Sequence, residues 1–314
     1  MKIFLLLFSF FLSLCGESVI TPIPLDAVYH QEKAQLGKEL FFDKILSNDF
    51  SVSCSSCHQL PGNGAGKEAV SYGMQNQPTK VNTPTVLNAV FNFSQFWDGR
   101  AKDLHEQALM PILNPAELNS SIEQAVSRLN DSPYKKKFSL LYEDGISKEN
   151  IAEVLAEFEK ALITPNSRFD QYLRGNEDAL SEQEKRGYQI FQDLGCIACH
   201  NGVNIGGNMY QKMGIMIEYD HMDASIENNS LNGRYNVTLR ERDKRVFKVP
   251  TLRNIALTAP YLHDGSAETL RDVIIDMREH QLGILEQNSE IEDIEMFLKT
   301  LNGETPKILG DTKL

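Results

Sequence analysis

A chain of 314 residues with 31 Lys and Arg against 43 Asp and Glu carries a formal net charge of −12. The length allows two domains, each large enough for its own core. The charge excludes broad nucleic-acid binding, which rewards basic stripes, yet permits steering of a small basic partner to a local patch.

In chain order, residues 1–18 read as an export signal: Lys2, then an apolar run from Ile3 to Leu14, then small residues. The run is too short and wrongly flanked for a membrane span. Ser13 and Cys15 suit the small-residue positions before a cleavage site, so cleavage after Cys15 is expected. Lipid modification of Cys15 is the alternative, and Leu14 just before it argues against that. Either route places the mature protein outside the cytoplasm, in the periplasm.

Cys54-Ser55-Ser56-Cys57-His58 has the C-x-x-C-H spacing of covalent haem attachment. Two thiols on one short turn can each bond a haem vinyl group, and the adjacent His58 then offers a ring nitrogen to the iron. Cys196-Ile197-Ala198-Cys199-His200 repeats the pattern, and the two motifs use four of the five cysteines. A shared zinc is the rival reading, but structural zinc pairs usually lie a dozen to about twenty residues apart. Here about 140 residues intervene, and each pair carries its own histidine. Local disulfides are the other rival. The pattern predicts two covalent haem c groups.

Ile151, Val154, Leu155, Phe158 and Leu162 follow a helical period that Pro165 ends. Ser181 with Glu184 and Ser289 with Glu292 fit capping boxes. The helix after Ser289 is expected to bury Ile291, Ile294, Phe297, Leu298 and Leu301. Gly- and Asn-rich stretches at 61–66 and 201–208 follow each haem motif and read as loops. No long alternating strand pattern occurs. The fold class is mostly α with much loop. His105 and His280 fall on helical stretches and read as surface residues.

The chain also repeats itself. Gly37-Lys38-Glu39-Leu40-Phe41 precedes the first haem motif as Gly187-Tyr188-Gln189-Ile190-Phe191 precedes the second. Pro84-Thr85-Val86-Leu87-Asn88 matches Pro250-Thr251-Leu252-Arg253-Asn254. In the same register Trp97-Asp98-Gly99 falls opposite His263-Asp264-Gly265, and Leu104 opposite Leu270. Two cytochrome c-like domains are expected, at 19–164 and 165–314, each with one haem.

A haem iron held by one histidine needs a sixth ligand to act purely as an electron carrier; without one it can activate a small molecule. The helix after Leu270 supplies Met277, whose thioether would raise the potential. Its counterpart in the first domain is Pro111, which cannot ligate; Met110 is one residue off and reads as packing. One haem should store electrons and the other should do chemistry.

At this point the residues resemble a family, the bacterial di-haem cytochrome c peroxidases. The likeness runs from about Gln35 to Leu301. It is most specific across Asn82-Thr-Pro-Thr-Val-Leu-Asn and Phe96-Trp97-Asp-Gly-Arg-Ala-Lys-Asp-Leu-His-Glu-Gln107, and again across Val249-Pro-Thr-Leu-Arg-Asn and Tyr261-Leu-His263-Asp-Gly. The resemblance implies reduction of hydrogen peroxide with electrons from a small cytochrome c or a cupredoxin. It also implies a high-potential C-terminal haem, an N-terminal haem that meets peroxide, and a homodimer. It assigns Glu117 as the distal acid–base group, Gln107 as its neighbour, Phe96 as a pocket ring and Trp97 as the aromatic between the haems. Asn82, Thr258 and Pro260 match the family's interdomain calcium site, whose oxygen ligands suit that ion. One position departs: where the family has a distal histidine, this chain has Met74, a weaker ligand that can leave the first iron open. A non-catalytic di-haem electron carrier would need firm Met74 ligation. A related group of di-haem oxidases of protein substrates has tyrosine in place of Met277.

Overall fold

The structure, a computed structural model, describes residues 19–219, 232–286 and 288–310. The expected export signal with Cys15, and His221, lie outside the described residues.

The first half contains α1 (Gln31–Phe42), α2 (Cys54–Cys57), α3 (Leu104–Leu113), α4 (Ile122–Asn130), α5 (Tyr134–Ser139) and α6 (Lys148–Lys160). The second contains α7 (Arg168–Leu173), α8 (Glu182–Asp193), α9 (Tyr235–Thr238), α10 (Leu270–Asp276) and α11 (Glu290–Lys299). One small antiparallel sheet joins β1 (Tyr210–Lys212) to β2 (Val246–Lys248). The fold is mostly helical, as the periodicity predicts. Long loops lie between helices, including 61–66 and 201–208 after the haem motifs.

In each half a glycine lets two helices cross closely. A Cβ on Gly37 would stand 1.8 Å from the Val154 carbonyl, and one on Gly187 would stand 1.9 Å from that of Asp293. So α1 packs on α6 and α8 on α11, with Phe158 and Phe297 beside the crossings. Two apolar clusters result. One includes Leu40, Phe41, Ile112, Phe138 and Phe158; the other includes Phe169, Phe191, Ile274, Ile294 and Phe297.

The sequence repeat is also a hydrogen-bond repeat. The Asn88 amide N–H donates to the Leu162 carbonyl at 2.9 Å, and that of Asn254 to Leu301 at 3.2 Å. Both asparagines have φ of 60°, a left-handed conformation that asparagine tolerates. Both side-chain amides donate to the Thr164 hydroxyl oxygen, at 2.7 and 2.8 Å. The halves also exchange bonds reciprocally. The Asn82 N–H donates to the His263 carbonyl at 2.8 Å, and the Lys248 N–H to the Trp97 carbonyl at 2.7 Å.

The chain ends do not respect a cut at residue 164. Ile20 packs in the second cluster, and the buried Arg253 donates to the Thr21 carbonyl while pairing with Asp170 at 2.7 Å. At the other end Leu309 packs in the first cluster, and Lys38 donates to the Ile308 carbonyl at 2.7 Å.

Two local expectations need correction. Ser181 and Glu184 form the capping box on α8, but Ser289 makes no side-chain cap. There the Asn288 side chain accepts from the Glu290 N–H at 3.1 Å instead. His280 is buried rather than at the surface, because the chain widens into a π-type turn over Met277–Gln281 and turns that ring inward. His105 is half-buried on α3.

Candidate active site

Each C-x-x-C-H motif folds into one short turn. Ser53 and Ser56 cap α2, the Ser53 N–H donating to the Ser56 hydroxyl at 2.9 Å. Gly195, at φ of 85°, opens the 3₁₀ turn that carries Cys196. The ring Nδ1 of His58 lies 3.1 Å from the Gly64 carbonyl, and that of His200 lies 3.3 Å from the Ile205 carbonyl. These bonds orient both rings and leave the Nε2 nitrogens for a metal. Burial lowers both histidine pKa values, that of His200 to about 4. Each ring is therefore neutral, the form that can donate a lone pair to iron.

His58 and Cys57 line a cavity of about 100 Å³ in the first half. Glu117, Gln107, Phe96, Arg100 and Pro111 line the same cavity. Burial raises the Glu117 pKa, opposed by the Asn114 amide and the Arg100 cation. Asn114 Nδ2 donates to Glu117 Oε1 at 2.6 Å and fixes the carboxylate. Gln107 Oε1 is buried with no hydrogen-bond partner among the described residues, so it can receive a donor inside the cavity. Phe96 has φ of 68°, and the Arg100 guanidinium covers its ring at 3.5 Å.

Met74 is 3% exposed, and its N–H donates to the Glu117 carbonyl at 2.9 Å. It is absent from the lining of the His58 cavity. Gly73 fits against Ala116 and Glu117 only because it lacks a Cβ, which would fall 2.1 Å from the Ala116 carbonyl. The Met74 and Glu117 loops are therefore tied together.

The second cavity, about 390 Å³, is lined by Cys196, Cys199, His200 and Met277. Met213 also reaches it, whereas Met216 is exposed. Trp97 stands at its edge. Its indole N–H donates to the Asn82 carbonyl at 2.9 Å, and it packs with Met277 against Met213, Tyr219 and Phe247. Its ring centroid lies 6.4 Å from that of His263. Asn82, Thr258 and Pro260 line this cavity together and bring neutral oxygens to one region.

These cavities suit haem on their own chemistry. The first presents the Cys57 thiol and the second those of Cys196 and Cys199, none of them in a disulfide, and each presents a neutral imidazole. Lys248 supplies an independent sign. It is 7% exposed in the second cavity, and burial alone pushes its pKa down to about 8, with no anion among the described residues opposing the shift. A buried, unpaired ammonium calls for an anion, and a haem brings propionates. Lys248, Arg100, His263 and Glu159 all line a cavity and were not found by motif reading. The repeat register was the signal for Lys248 and His263, which face Asn82 and Trp97 across it.

A family described as di-haem cytochrome c peroxidase matches residues 31–178. The chain is 44% identical to the cytochrome c551 peroxidase of Nitrosomonas europaea, over 93% of this chain and 86% of that one. It is 41% identical to the cytochrome c551 peroxidase of Pseudomonas aeruginosa, over 88% and 81%. Among solved structures, a MauG-like protein associated with microbial copper homeostasis superposes with a TM-score of 0.79 at 27% identity, covering 94% of this chain and 96% of that one. With the acid, the amide and the paired histidine cavities in place, the chain belongs to the di-haem cytochrome c peroxidase family and is a peroxidase oxidoreductase.

Proposed function

We propose that the two halves are separate haem domains, and that peroxide is reduced in the His58 cavity with electrons arriving through the His200 cavity. The observation that carries this reading is the placement of Glu117 and the unpartnered Gln107 amide in the cavity where Pro111 stands at the position of Met277. When bound through Cys54, Cys57, Cys196 and Cys199, the haems supply one iron for peroxide and one that stores an electron. His58 and His200 would hold those irons, and Met277 would ligate the second one.

Glu117 is placed to accept a proton from hydrogen peroxide in the cavity and to return it to the oxygen that leaves as water when the O–O bond breaks; two electrons from the donor and two protons from solvent reduce the other oxygen to a second water. Such proton transfer contributes about 10²–10⁴-fold. Asn114 holds the carboxylate for that task, and Gln107 Oε1 accepts a hydrogen bond from the substrate. Trp97, bonded to Asn82 and packed on the Met277 cluster, bridges the halves. Asn82, Thr258 and Pro260 would hold a calcium ion at the seam. Met74, tied to the Glu117 loop and outside the cavity lining, would leave the first iron open. The donor is a small cytochrome c or cupredoxin in the periplasm, and the active form is a homodimer.

Mass spectrometry of the exported protein should show two haems per chain, and a reduced small cytochrome c should be oxidised by peroxide in its presence. Electron paramagnetic resonance of the oxidised protein should show high-spin iron at the first haem. A fully low-spin oxidised state that is inert to peroxide would remove the open-site reading and favour a carrier of electrons.

A further inference from the structure

The first cavity holds an acid that the peroxidase reading does not use. Glu159 sits on α6, is 6% exposed, and lines the cavity with His58 and Glu117. Burial is the sole influence on it and pushes its pKa up to about 8, with no hydrogen bond or opposing charge among the described residues. Its charge is felt at Cys54, whose thiol is pushed up to about 12 by burial first and Glu159 next.

The internal repeat shows what this seat needs for packing. Phe158 and Phe297 lie beside the glycine crossings, and Leu162 and Leu301 accept the equivalent asparagine bonds. That register sets Glu159 opposite Leu298, which is 5% exposed and lines the second cavity. An apolar side chain therefore fills the seat in one half, and an ionisable one fills it in the other. A lone buried carboxyl group costs stability, so packing does not explain it.

We propose that Glu159 is the proton-coupled partner of the first haem, taking up one proton when the iron beside it gains one electron and releasing it when that electron is withdrawn. The inference rests on reading the cavity as a haem site. The electron comes from the redox donor of the peroxidase reaction and the proton from solvent; it adds to a carboxylate oxygen, and no other bond changes. The extra electron makes a nearby anion less favourable, so the Glu159 pKa is higher beside reduced iron than beside oxidised iron. Between those two values, each pH unit shifts the reduction equilibrium about tenfold, 59 mV for one electron. Outside them the potential is flat.

Other titratable groups around α6 are accounted for. On α1, Lys33 pairs with Glu153, Lys38 with the Ile308 carbonyl and Glu39 with Lys137. On α3, His105 acts on Glu153, and on α6 itself Lys160 pairs with Glu157. Within the cavity the groups sharing the lining with Glu159 are Cys57, His58, Glu117 and Arg100, and Cys54 feels its charge from beside it. The thiols become thioethers on haem attachment and no longer titrate.

The test is a spectroelectrochemical titration of the first haem against pH in the holoprotein, with haem content checked by mass. The wild-type potential should fall across a pH window by up to about tenfold in the reduction equilibrium per unit. Glu159→Gln, which keeps the shape, should be flat across that window. Glu159→Leu, which imports the residue of the other half, should be flat as well. Glu117→Gln should keep the wild-type slope, and the second haem should be unaffected in all variants. A wild-type slope retained in Glu159→Gln, or lost in Glu117→Gln, would overturn the assignment, as would a flat wild type. A mass lacking the haem at Cys54 and Cys57 would overturn the haem site itself, and the proposal with it.

Discussion

The two cavities share one backbone frame and differ in a handful of side chains. Glycine crossings, left-handed asparagines and histidines tied to a loop carbonyl recur in both halves. At matched seats the first half has Pro111, Asn82, Trp97 and Glu159, and the second half has Met277, Lys248, His263 and Leu298. The frame sets where a haem would lie; on the proposed reading the side chains would decide whether its iron is closed by sulfur or left beside an acid. The proposed division of labour is then chemical rather than architectural.

The largest expected break in this comparison is Glu117→Gln. The amide keeps the size but cannot carry the proton, so peroxide turnover should fall about 10²–10⁴-fold with both haem spectra retained. Steady-state assays within about twofold of wild type would remove Glu117 from the acid–base role. Met277→Ala makes the second cavity more like the first. Loss of the thioether should lower the reduction equilibrium of the second haem by more than about tenfold, or 59 mV. An unchanged potential in a redox titration would point to Met213, which lines the same cavity.

Legibility in the sequence followed the same divide. The haem motifs, the Ile151–Leu162 period and the Ser181 cap are local patterns with local causes, and the structure forms a histidine-lined cavity at each motif, a helix and a cap there. Glu159 was invisible because it sits one residue past Phe158 in an ordinary helical pattern. Only the three-dimensional register against Leu298 exposes it. His280 was misread because a π-type turn shifts the face that a regular helix would present. The chain ends escaped notice because no sequence pattern reports on contacts between Ile20 and the second core or between Leu309 and the first.

Two smaller tests sharpen the comparison. Gly37→Ala and Gly187→Ala should each cost about 1–3 kcal/mol through overpacking, and similar amounts if the frame is truly shared. Thermal unfolding of each variant checks this, and a harmless change in one half alone would show that the crossings differ. Arg100→Gln should have the least effect. Arg100 favours the Glu117 carboxylate, so its loss raises the Glu117 pKa further. The base form is lost as pH falls through that pKa, and the acid limb of turnover should move to higher pH. A partly exposed charge contributes about 0.2–1 kcal/mol, which corresponds to roughly half a pH unit. A pH–rate profile that stays in place would leave Arg100 its pair with Asp98 and its contact with Phe96.

The crossed chain ends make the molecule a clasp rather than two beads on a string. Each core takes an apolar contact from the far end of the chain, Ile20 in the second and Leu309 in the first. A single nick in the connection near residue 166 would leave two fragments, each still strapped to its partner by the segment it lends.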